Sequence, residues 1–120
     1  MQRFDLETRT RLFALEVVRL TAPLLMRTET RTLGGQLLRA GTAVGAIYRE
    51  AGRAESRRDF IHKLNLSLKE ADETVYWIEL LTGSGLCDLP SFRKLENEAR
   101  QLLWIFSASV RTARKRAPNR

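Results

Sequence analysis

Apolar side chains recur along this chain at steps of three and four residues, the spacing that lines one face of an α-helix. Leu6, Thr10, Phe13, Val17 and Leu20 form a first stripe. It should end near Pro23, because proline lacks the backbone N–H a helix interior needs and its ring clashes with the preceding turn. The "LLMRT" after it remains compatible with helix, so a first helix is predicted over residues 5–26, with Pro23 as a kink or a loop. A second helix, residues 30–54, carries two stripes one residue apart. One runs Leu33, Leu37, Ala40, Val44, Ile47 and Ala51; the other runs Gly34, Leu38, Gly41, Gly45, Tyr48 and Gly52.

"SRRD", from Ser56 to Asp59, has the form of a capping box and opens a third helix over residues 57–82. Its stripe is Ile61, Leu64, Leu68, Ala71, Val75 and Ile78, and the run stops at "TGSG", where Gly83 or Gly85 can supply a left-handed cap. Asp88, Pro90 and Ser91 announce a fourth helix over residues 90–114, with Phe92, Leu95, Ala99, Leu102, Phe106, Ser109 and Ala113 inward. No segment alternates with the period of two that a half-buried strand requires. The predicted fold class is therefore all-α, an antiparallel up-down-up-down four-helix bundle over residues 1–114, followed by a basic tail at 115–120. A chain of 120 residues is long enough for one such core.

The glycines change this picture. A glycine costs a helix interior about 1 kcal/mol relative to alanine, so Gly41, Gly45 and Gly52 imply a neighbour that must come close. Small residues four apart let two helix backbones approach and recover packing contacts. The partner is either the third helix of the same bundle or another subunit, and in the second case Gly41, Gly45, Gly52 and Tyr48 form an oligomer interface.

Charge adds the candidate chemistry. The chain holds 21 Lys and Arg against 14 Asp and Glu, a formal net charge of +7, and only Lys63, Lys69, Lys94 and Lys115 are lysines. Arginine forks onto phosphate and stacks on bases, so the bias favours an anionic partner, nucleic acid first. The same composition also fits an even, solvated spread of charge. Arg49, Arg53, Arg57 and Arg58 cluster across the junction of the second and third helices, where a helix N-terminus adds positive potential. Local pairing with Glu50, Glu55 and Asp59 is the competing reading. Arg111, Arg114, Lys115, Arg116 and Arg120 form a second cluster with no acid between Ser107 and the end of the chain. Tyr48, Tyr76, Trp77 and Trp104 could stack on bases, but aromatics at helical spacing are expected in a core or interface first.

"FALEVVRL" followed by "QLLRAGTAVGAIYREAGRAESRRDFIHKLNLSLKEADETVYWIELL" resembles the bacterial four helix bundle proteins, also called 23S rRNA intervening-sequence or S23-like proteins, over residues 4–81. The resemblance implies a bundle that assembles as a ring-shaped homopentamer. It also implies kinship with the accessory variability determinants of diversity-generating retroelements, basic pentamers that work beside a reverse transcriptase and its template RNA. In the well-matched "KEADET" segment, Glu70 and Glu73 are expected as structural acids facing Arg39 or Arg49. Each basic cluster would be repeated around such a ring, giving multivalent, salt-sensitive attraction for RNA or DNA phosphate. No RRM, KH or zinc-knuckle signature provides sequence readout.

Catalysis finds no foothold. His62 is the one histidine, so two Glu-x-x-His motifs for a di-metal bundle cannot form. Cys87 stands alone, without a partner for a disulfide or for nucleophile activation. No phosphate-cradling glycine loop is present. The expectation is a protein that is not an enzyme and needs no cofactor or metal. The lone cysteine and the charged start "MQRFDLETRT" fit a cytoplasmic location without membrane association.

Overall fold

The computed structural model describes residues 3–87 and 89–116, with side chains placed for 6–87 and 90–116. Four α-helices account for most of it: α1 (Arg3–Thr21), α2 (Arg31–Ala51), α3 (Arg57–Gly83) and α4 (Leu89–Arg116), with a single 3-10 turn at Leu24–Met26 between α1 and α2. No strand occurs among the described residues. The cross-helix contacts run in opposite sequence order on each neighbouring pair. Val17 and Thr10 of α1 meet Gly41 and Gly45 of α2. Lys63 and Glu70 of α3 meet Glu50 and Arg39 of α2. Glu79 of α3 reaches Arg100 of α4, and Arg9 of α1 reaches Glu98 of α4. All four pairs are antiparallel, so the helices alternate up and down around one core, 49 Å long and 21 Å across in both other directions.

The first helix is shorter than its apolar pattern allows. It ends at Thr21, because Ala22 precedes a proline and is disfavoured in the helical region, while Pro23 has no N–H to give. Pro23 caps the 3-10 turn instead, so the predicted extension to residue 26 is corrected. Thr30 closes the crossing by donating its hydroxyl to the Leu24 carbonyl at 2.8 Å. At the start of α3 the Ser56 side chain accepts the Asp59 N–H at 3.0 Å, the forward half of a capping box. At its end, Gly85 takes the left-handed conformation with φ +76°, while Gly83 remains in the helix. The α4 start signal at Asp88 lies outside the described residues.

The core follows the stripes closely. Phe13, Val17, Leu37, Val44, Leu64, Ile78, Leu81, Leu102 and Phe106 are among its buried members. In α4, Val110 rather than Ser109 takes the inner position, since the helix continues its 3-4 alternation straight from Phe106. Ser67 and Thr74 are buried polar residues of α3. Ser67 donates to the Val44 carbonyl across the α2–α3 contact at 3.1 Å, and Thr74 to the Glu70 carbonyl one turn back at 2.7 Å. Among the described residues no buried side-chain nitrogen or oxygen lacks a partner, as a well-packed interior requires.

The glycine face points to neither of its predicted partners. A Cβ on Gly41 would sit 2.9 Å from Cγ2 of Val17, and one on Gly45 would sit 2.9 Å from Oγ1 of Thr10 and 3.3 Å from the Thr10 backbone carbon. Both glycines are buried, and what they accommodate is α1 of the same chain. Gly41 and Gly45 are therefore corrected from oligomer interface to monomer core. Gly52 is exposed and ends α2, donating its N–H to the Tyr48 carbonyl at 3.1 Å. Tyr48 is half-buried with its ring edge-on to Phe106 of α4, centroids 5.5 Å apart, which also commits it to the bundle.

Candidate nucleic-acid interface

The alternation of the helices decides where the charges fall. The C-terminus of α2, the N-terminus of α3 and the C-terminus of α4 all lie at the same end of the bundle. Arg49, Arg53, Arg57 and Arg58 therefore share that end with Arg111, Arg114, Lys115 and Arg116. Two clusters more than fifty residues apart in sequence become two sides of one basic surface, with the first half of α3 between them. Lys115 and Arg116 belong to α4 rather than to a tail, which fixes their spacing relative to Arg111. Residues 117–120, including Arg120, lie outside the described residues.

The two sides differ in how far acids neutralise them. On the α2–α3 side, Arg49 reaches Glu7 of α1 at 3.9 Å, and Lys63 holds Glu50 at 3.0 Å. That hydrogen bond raises the Lys63 ammonium above its usual range. Arg53, Arg57 and Arg58 form no ion pair among the described residues. A groove of about 450 Å³ runs here between α2 and α3, and Glu50, Glu55 and Asp59 line it together with Arg49, Arg53 and Lys63. The local pairing weighed against this cluster is thus partly realised, through Lys63 and Glu7 rather than through the arginines' immediate neighbours. On the α4 side a groove of about 470 Å³ is bordered by Leu68, Ser107, Val110, Arg111, Arg114 and Lys115. No acid lines it. Arg111, Arg114, Lys115 and Arg116 are exposed and form no ion pair among the described residues.

The opposite half of the molecule is charge-balanced. Arg39 of α2 bridges Glu70 at 3.3 Å and also Glu73 of α3, as expected for those acids, and Glu73 additionally accepts the Trp77 indole N–H at 3.0 Å. Arg100 joins Glu96 and Glu79, and both acids raise its guanidinium further above its ordinary value. Arg19 pairs with Glu16 and Arg27 with Glu29. Arg31, Arg93 and Lys94 form no ion pair there among the described residues, but acids stand among them, whereas the α4 cluster at the other end has none.

Two surface features were not anticipated. Leu12, Leu15 and Val18 of α1 are 58%, 59% and 48% exposed. They recur at three-residue steps off the core stripe, Leu12 just before the "FALEVVRL" segment and Leu15 and Val18 within it, where more apolar residues fall than one face can bury. Trp104 of α4 is 73% exposed, whereas Trp77 is half-buried as expected of an aromatic at helical spacing.

Among the described residues no group of three or more His, Cys, Asp or Glu side chains is placed to hold a metal ion. Burial pushes the Cys87 thiol up, only partly opposed by the Arg27 charge, so it is mostly protonated near neutrality and a poor nucleophile. No helix among the described residues is long and apolar enough to cross a membrane.

The sequence model of the 23S rRNA-intervening sequence protein family matches residues 3–108, well past the segment that carries the motif resemblance. A protein of unknown function from the S23 ribosomal protein family of Bacteroides thetaiotaomicron has a crystal structure that superposes with a TM-score of 0.81. It is 34% identical, and the match covers 88% of this chain and 97% of the other. No curated protein matches the chain.

Proposed function

The chain belongs to the 23S rRNA-intervening sequence protein family, and from that premise we propose that it is a non-enzymatic accessory protein that binds RNA by its phosphate backbone at the basic end of the bundle. One observation carries the reading: antiparallel packing gathers two sequence-distant basic clusters on one surface, and the α4 cluster there meets no acid. Guanidinium groups free of local partners gain most from phosphate, because binding breaks no existing ion pair and releases counterions. The positive N-terminal end of α3, set between the clusters, adds to the attraction.

Self-association belongs to the same proposal. With Gly41 and Gly45 committed to α1, the surface that supports a subunit contact is the apolar stripe Leu12, Leu15 and Val18. Exposed leucines side by side are costly in water and are recovered by burial against another copy. A ring would multiply the basic end without any single strong site. The count of five subunits and service to a reverse transcriptase rest on the family resemblance.

A filter-binding titration of structured RNA at 50 and 200 mM salt tests the reading. Four phosphate contacts on a single strand give an affinity loss of about 50-fold between these conditions. Replacing Arg111, Arg114, Lys115 and Arg116 together by glutamine should remove most of the binding and flatten that dependence. No retention of RNA at 50 mM salt refutes the proposal and leaves a scaffold that docks a protein partner.

A further inference from the structure

Trp104 has an environment that neither the core nor an apolar contact explains. It stands at the centre of the outward face of α4, and helical spacing places Arg93, Asn97 and Arg100 before it on that face and Arg111 and Lys115 after it. Its nearest surface neighbours along the helix are Arg100, Gln101, Ser107 and Ala108. Arg100 is already held by Glu96 and Glu79, so the cations of this face that form no ion pair among the described residues are Arg93 before Trp104 and Arg111 and Lys115 after it. From Ala99 to the end of the sequence there is no acidic residue at all. Arg111 lies two turns beyond Trp104, about 10 Å along the axis, and opens the acid-free groove with Arg114 and Lys115.

We propose that Trp104 is a base-stacking platform and that the outward face of α4 is a track for single-stranded nucleic acid, with one unpaired base on the indole and the following phosphates on Arg111 and Lys115. This rests on the RNA-binding reading and specifies its ligand: unpaired nucleotides rather than duplex. An indole on a convex helix cannot reach bases stacked inside an A-form duplex, whose major groove is too deep and narrow for side chains. An unpaired base offers its π-face freely, and stacking accepts any base. The charge pattern favours a polyanion over a protein surface, and the indole favours a base over phosphate alone.

The test compares labelled single-stranded U15, its DNA counterpart dT15 and a 15-base-pair RNA duplex by fluorescence anisotropy at 50 mM salt, using the full chain and its Trp104→Ala and Trp104→Phe variants. The expected result is tighter binding of the single strands and an affinity loss of about tenfold or more on Trp104→Ala. Trp104→Phe should keep most of the affinity, and the duplex should be indifferent to both changes. Equal losses for U15 and dT15 assign shared base and phosphate chemistry, while a loss for U15 alone assigns a ribose-dependent contact; either supports the track. Because Trp104 is mostly exposed, the variants should melt like the parent, which excludes unfolding as the cause. As a direct readout, a Trp77→Phe chain, left with one indole, should lose emission when U15 is added. Binding of U15 that Trp104→Ala leaves unchanged overturns the stacking platform while the phosphate-binding reading stands. Failure of all three nucleic acids to bind overturns both.

Discussion

Helix α1 is packed in opposite ways on its two flanks. Toward α2 it meets glycines, so that Val17 and Thr10 lie where side chains would otherwise stand. The contact is close and mostly uncharged, with the long Glu7–Arg49 pair at 3.9 Å near its end. Toward α4 it meets a groove of about 490 Å³ lined by Leu12, Phe13, Leu15 and Leu95, with Arg9, Glu16, Arg19, Lys94 and Glu98 around it. Across that flank Arg9 forks onto Glu98 at 2.7 and 2.8 Å and reaches Gln101 at 2.7 Å. The difference separates two tasks that one apolar helix can serve. The α2 flank specifies the fold through close approach, and the α4 flank leaves leucines at the surface.

The comparison is broken most severely by filling the tight flank. Gly45→Leu forces a branched side chain into the Thr10 backbone, and overpacking of this kind costs about 3 kcal/mol. Urea denaturation should show the loss directly, and Gly41→Leu should behave alike against Val17. If either variant stays as stable as the parent but falls apart into folded monomers, the glycines face another subunit after all. The next largest effect belongs to the loose flank. Leu12→Ser with Leu15→Glu should leave the melting temperature of the folded chain almost unchanged, because both side chains are more than half exposed. The same pair should abolish self-association in size-exclusion chromatography with light scattering. A parent chain that is already monomeric at micromolar concentration sinks the self-association proposal.

A third substitution sharpens the comparison within α2 itself. Gly35 neighbours Gly34 but has only the Leu25 Cδ2 at 4.0 Å near its would-be Cβ, whereas the same atom on Gly34 would lie 2.9 Å from Leu24 Cβ. Gly35→Ala should therefore stabilise by up to about 1 kcal/mol through helix propensity and a less flexible unfolded chain. Gly34→Ala should forfeit that gain to the clash. Equal effects at the two positions would mean that α2 approaches the preceding turn less closely than its glycines imply.

How much of this was legible in the sequence follows from what each signal measures. Apolar periodicity reports which side of a helix is dry, and it located the inner faces of all four helices, down to Leu37, Val44, Ile78 and Phe106. It cannot say which neighbour a face meets. The stripe through Gly41 and Gly45 was visible, but its partner depends on how the helices are arranged around the core. Periodicity also overran at Pro23, where "LLM" is apolar enough for helix while the lost N–H stops it. The capping box at Ser56 was readable because its bond is local, spanning three residues. The basic clusters were readable as clusters, yet their meeting at one end required the antiparallel topology. Their partial neutralisation required partners distant in sequence, such as Glu7 for Arg49. Trp104 was hidden for a related reason: exposure depends on the absence of a neighbouring helix, which composition does not encode.

The smallest predicted effect probes whether the loose flank is held by charge at all. Arg19 donates through Nε to Glu16 at 3.1 Å, one turn away on the exposed edge of that flank. The hydrogen bond to Arg19 holds the Glu16 carboxyl below its usual range, assisted by the charges of Arg19 and Lys94 and opposed by desolvation. A carboxyl whose folded value is depressed contributes stability above its unfolded value, near 4.3, and loses it as the pH falls through the folded value. Glu16→Gln, neutral at every pH, should accordingly be slightly less stable than the parent at pH 7, and the gap should close as the pH falls through the folded value of Glu16. The pair is exposed, and such pairs contribute little, so the gap in urea midpoint should be smaller than the shift from Gly35→Ala. The α2 flank is built on Val17, Thr10 and glycines, and its ion pair, Glu7 with Arg49 at 3.9 Å, is long and exposed. A gap that does not close on acidification would show that Glu16 acts through packing, and the division of α1 into a tight glycine-packed flank and a charge-fastened loose one would fail at its weaker side.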